Sequence, residues 1–174
     1  MNWTQTVFEV IDMRSFSNLW FWIALAVMWS SASYWVLGVP FDMMQRVMRG
    51  DQKAISDLQK LVQINVTRVL YITDKSGMWL VTITCFVMTS LVILGFVYDV
   101  EFAQALFLLG FPMLIVRCFI IRMAYVINDD GYAIEGLIRR LLRQRLITQF
   151  IGMISILITA MYGMLQNFSG GNGF

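Results

Sequence analysis

Long stretches without a single charge constrain this chain more than any other feature of its 174 residues. Ser15 to Phe41, Ser76 to Tyr98 and Leu146 to Phe174 contain no Asp, Glu, Lys or Arg, and each exceeds the roughly 18 to 20 residues with which a helix crosses about 30 Å of hydrocarbon. Inside lipid the backbone must satisfy its own hydrogen bonds, so such segments are helices. A water-soluble fold could not cover their side chains: 59% of the residues are hydrophobic and 14% charged, against about a quarter charged in an average soluble domain.

These features predict an all-α integral membrane four-helix bundle. Its spans are expected over residues 19–39, 77–98, 102–127 and 146–168. Trp20, Phe21 and Trp22 at one end of the first span, and Tyr34 and Trp35 at the other, put aromatic rings at both headgroup levels, and Pro40 closes it. Asp99-Val100-Glu101 joins the second and third spans so tightly that they form an antiparallel helical hairpin. Pro112 is expected to kink the third near Gly110.

Two polar segments between the spans are also helical by their periodicity. In residues 42–75, Met44, Val47 and Met48 make one stripe. Gly50 breaks it, Asp51 can cap the next turn, and Ile55, Leu58, Val62, Val66 and Val69 continue an apolar face. In residues 129–145, Ile134, Leu137, Ile138, Leu141 and Leu142 do the same, with Asp129 and Asp130 ahead of Gly131 expected to cap that helix. Each stripe needs a cover: the membrane surface, the other segment, or a partner. Ahead of the first span, Trp3, Val7, Val10 and Ile11 share a face, with Thr6 and Glu9 at capping-box spacing, which predicts a short interfacial helix. Residues 1–14 lack the basic start of a cleavable leader, so the first span is expected to be retained. The glycine-rich tail from Ser169 is expected to be disordered.

Cationic loops resist translocation, so their distribution predicts orientation. Arg46, Arg49, Lys53, Lys60, Arg68 and Lys75 lie after the first span, and Arg139, Arg140, Arg143 and Arg145 after the third; the other side has Arg14 alone. The two polar segments are therefore expected in the cytoplasm and both termini in the periplasm of a bacterial inner membrane.

Arg117 is the ionisable residue deepest in a span, fifteen positions after Phe102, which places it roughly 22 Å into a core of about 30 Å. With Arg122 one turn further, it reads either as a ladder snorkelling to the inner interface or as the lining of an anion path or subunit contact. Thr148, Gly152, Ser155, Thr159 and Gly163 form a small-residue stripe on the fourth span, the kind of face along which helix backbones approach closely in lipid. Similar but weaker faces are Ala26, Ser30 and Ser33 in the first span and Thr82, Cys85 and Thr89 in the second. Gln149 and Gln166 lie near the ends of the fourth span, where interface depth accounts for both.

Histidine is absent, and no phosphate loop, nucleophile motif or metal-ligand spacing is present, so neither cofactor nor metal is expected. No Asp or Glu lies deep within a span, which argues against proton-coupled transport. A net charge of +2 gives no reason to expect nucleic acid.

Three stretches resemble a family of small multi-pass membrane proteins from Rhodobacter-type alphaproteobacteria: Asn2-Trp3-Thr4 with Ile11 to Trp22, Gly95 to Phe107, and Ile151 to Met164. The resemblance covers nearly the whole chain. Members often carry a label tying them to the SufBCD iron-sulfur assembly machinery, yet Cys85 and Cys118 sit in apolar sequence with no cluster-binding spacing. The family has no motif that attaches a role to any residue. The sequence leads to the expectation of a non-enzymatic membrane protein acting by association, as a homo-oligomer or within a larger respiratory or photosynthetic complex, with membrane lipid around it. The alternative expectation is a homo-oligomeric channel or pore biased toward anions.

Overall fold

A computed structural model describes residues 19–170, with side chains to Gln166. The interfacial helix expected near Trp3 and the last four residues lie outside the described part. The described chain is almost wholly helical, with five α-helices and one minimal strand pair. Three of its helical rods are long and apolar enough to cross a membrane: residues 52–97, 101–130 and 134–166.

Helix α1, Leu19–Tyr34, has 16 residues and so is about 24 Å long. It stops short of the expected Val39. Gly38 and Pro40 explain the difference: Pro40 disfavours helical backbone at Val39, and Leu37 and Gly38 adopt φ of 53° and 71°, the two-residue turn that suits a hairpin. Strands β1, Trp35–Val36, and β2, Val39–Pro40, pair Trp35 with Pro40 and Val36 with Val39. The turn tucks Val36, Leu37 and Val39 into the interior, which offsets the left-handed strain at Leu37.

Helix α2, Phe41–Met48, buries Met44 and Val47. Gly50, at φ 87°, breaks the chain's helical course, and Asp51 caps helix α3, Gln52–Val92, by accepting from the amides of Lys53 at 3.0 Å and Ala54 at 3.4 Å. The polar segment and the second span expected separately are one rod of 41 residues, extended by a π turn at Ile93–Val97. Nothing in the sequence at the junction around Lys75 to Gly77 breaks a helix, because a single glycine costs only about 1 kcal/mol.

Helix α4, Glu101–Asp130, continues through Pro112 and ends at Gly131, whose φ of 76° is a left-handed cap. Asp129 and Asp130 thus close α4 instead of capping the next helix. Helix α5, Ile134–Gly170, again merges a polar segment and a span expected separately, and its helical backbone reaches into the tail expected to be disordered. Packing joins α3 to α4, α4 to α5, and α1 to α5.

The buried core lies mostly at the charged end. Leu58, Val62 and Val66 of α3 meet Ala124 and Ile127 of α4, Leu137 and Leu141 of α5, and the hairpin with α2. The two amphipathic stripes therefore cover each other within one chain. A smaller cluster of Leu25, Trp29 and Val116 docks α1. By contrast, only 6%, 17% and 28% of the most apolar windows of the three long rods are buried. Such bare apolar surface is compatible with helices that cross a membrane, since hydrocarbon, unlike water, does not drive apolar faces together.

Candidate functional site: arginine clefts at the charged end

Helical spacing builds the first cleft. On α4, Phe119, Arg122, Met123 and Val126 recur at three and four residues and face Arg140, Arg143, Gln144 and Ile147 of α5, which share the same pattern. They enclose about 380 Å³. Arg140 is paired with Asp130, whereas Arg122 and Arg143 have no ion pair among the described residues. Gln144 is 4% exposed and its Nε2 has no hydrogen-bond partner. An enclosed amide left so costs about 1–3 kcal/mol.

The second cleft, of about 580 Å³, lies between α1, the hairpin, α3 and α4 and holds Arg68, Arg117 and Asn65 among apolar walls. Arg117 and Arg122, expected as one ladder or one lining, thus belong to different clefts. Both are exposed. Next to the hairpin, Arg145 stacks over the Phe41 ring with Cζ 3.4 Å from its centroid, a cation–π contact that ties α5 to α2.

All five residues of the small-residue stripe, Thr148, Gly152, Ser155, Thr159 and Gly163, are buried. Gly152 faces the Trp29 ring of α1, and a Cβ there would fall 2.8 Å from Cε3. The stripe of the second span is placed oppositely: Thr82, Cys85 and Thr89 all face outward. The Thr82 hydroxyl donates to the Met78 carbonyl at 2.9 Å, which hides its polarity on the helix itself.

One polar cluster is not anticipated by any pattern in the sequence. Gln104, 1% exposed, donates from Nε2 to the Gly95 carbonyl at 2.7 Å and accepts from Gln166 Nε2 at 3.0 Å. Gln166 also reaches the Tyr162 hydroxyl at 3.2 Å. The end of the π turn leaves the Gly95 carbonyl without a helical donor, and Gln104 supplies one, so the three long rods are tied together at the end away from the arginines. Interface depth alone therefore does not account for Gln166. The one local signal is Gln104 itself, the last polar residue ahead of the uninterrupted apolar run from Ala105 to Val116.

Chemically, the first cleft offers permanently charged guanidiniums and a free amide donor, with no carboxylate, thiol or hydroxyl among its lining residues. It can bind an anion. Among the described residues no group of three His, Cys, Asp or Glu is placed to hold a metal ion. Comparison of the chain with protein-family models, curated proteins and solved structures finds no match in any of the three.

Proposed function

We propose that this chain is a non-enzymatic multi-pass membrane subunit that works by association, with a second copy of itself or within a larger membrane complex, its arginine-rich end cytoplasmic and its termini periplasmic. The observation that carries the reading is the bare second half of α3. Met78, Trp79, Val81, Ile83 and Phe86 are 57–85% exposed, and the outward Thr82, Cys85 and Thr89 give this rod a face narrow enough for another helix backbone to approach.

Cys85 makes the test direct. Oxidative crosslinking of a Cys118→Ser variant in native membranes is expected to give a covalent dimer or a crosslink to a partner through Cys85, and native mass measurement in mild detergent to give a species larger than one chain. A strict monomer in both would overturn the reading. Reporters fused at either terminus are expected to be active in the periplasm; a cytosolic signal would remove the orientation. Because Arg117 and Arg122 open into separate clefts, the anion-channel alternative draws less support from this arrangement.

A further inference from the structure

We propose that the cleft between α4 and α5 binds the phosphodiester headgroup of an anionic phospholipid. The donor set points to an anion: Arg122 and Arg143 are not ion-paired among the described residues, and the enclosed Gln144 amide nitrogen lacks any acceptor. No lining carboxylate competes. Charge-assisted hydrogen bonds from guanidiniums to phosphate oxygens are among the strongest a protein makes.

The remaining walls choose the lipid over a free anion. Phe119, Met123, Val126 and Ile147 are apolar, and the charge-free run of α5 begins at Leu146, two positions after Gln144. A ligand seated here has its charge beside the arginines and its body toward the span. The cleft of about 380 Å³ admits a glycerophosphate head, and the exposed Phe150 and Ile154 continue the apolar track for acyl chains. Basic clefts between membrane helices at the cytoplasmic surface suit such heads. The groove of Arg68 and Arg117 has no enclosed, unpartnered donor to match.

This inference rests on membrane insertion but not on association, and the two are scored separately: the mass of the species reports association, and the number of lipid adducts per chain reports the cleft. Native mass spectrometry of the purified full chain in detergent would compare dioleoylphosphatidylglycerol with dioleoylphosphatidylcholine. One phosphatidylglycerol per chain is expected, held at least about tenfold more tightly than phosphatidylcholine. The Arg122→Gln/Arg143→Gln variant is expected to lose about tenfold in that affinity. Arg139→Gln, at an exposed arginine outside the cleft, should lose nothing. Equal binding of the two lipids, an unchanged double variant, or displacement of the lipid by an equal concentration of inorganic phosphate would each overturn the proposal. Should the double variant not fold, the wild-type lipid preference and Gln144→Leu decide the question.

Discussion

Replacing Gly152 with alanine tests how α1 is held against the rest of the molecule. The added Cβ would stand 2.8 Å from Cε3 and 3.1 Å from Cδ2 of Trp29, atoms in the body of the indole and not at the end of a flexible chain. Trp29 is 4% exposed, so the ring cannot swing out of the way. Restoring contact at 3.4 Å demands a shift of about 0.6 Å, the difference between 3.4 and 2.8 Å. Overpacking of this kind costs about 1–3 kcal/mol, and the helix propensity of alanine returns up to about 1. A net loss of about 1–2 kcal/mol is the expected result of those two effects. The control is Gly136→Ala on the same helix, where nothing lies within 4 Å of the new atom; it should be neutral or mildly stabilising. Unfolding by dodecyl sulfate in mixed micelles, followed by tryptophan fluorescence, would measure both. In a Trp29→Ala background Gly152→Ala should become neutral or mildly stabilising, as at Gly136, giving a coupling equal to the overpacking of about 1–3 kcal/mol. Equal penalties in both backgrounds would refute the contact, and no penalty in either would refute the overpacking.

Leu58→Ala, at a fully buried position, should cost about 2–5 kcal/mol, whereas Ile83→Ala, 57% exposed on the second half of α3, should change stability by less than about 0.5; the reverse order in the same titration would move the core to the apolar halves of the rods. Gln104→Leu removes the donor to Gly95 and the acceptor for Gln166. It should cost about 0.6–2 kcal/mol and raise the rate of amide exchange around the π turn; an unchanged exchange pattern would discount the tie. Gly38→Ala meets both a left-handed backbone at φ 71° and Asn65 Nδ2 at 2.8 Å. It should lose about 1–2 kcal/mol from the backbone alone, so adding Asn65→Ala is expected to recover only part of the loss, and complete recovery would show that the strain is steric.

Hydropathy along the chain determined by itself that long apolar helices exist and that the chain is compatible with membrane insertion, because charge cost and helix length are local quantities. Gly50 and Asp51 likewise punctuate the chain by local backbone chemistry, whereas Gly131 ends α4 where Asp129 and Asp130 were expected to open the next helix. The amphipathic stripes were legible too, but not their cover. Whether Leu58 and Val62 meet lipid, a partner or Leu141 depends on how the rods are arranged, and periodicity is blind to that. Only the tertiary structure decided it: the polar and apolar segments expected as separate elements are continuous rods, so each stripe is carried to its complement at the charged end. The separation of Arg117 from Arg122, the meeting of Arg122, Arg143 and Gln144, and the Gln104 tie arise the same way. Each depends on which face of one helix meets which face of another, a relation between residues far apart in the chain that no local pattern records.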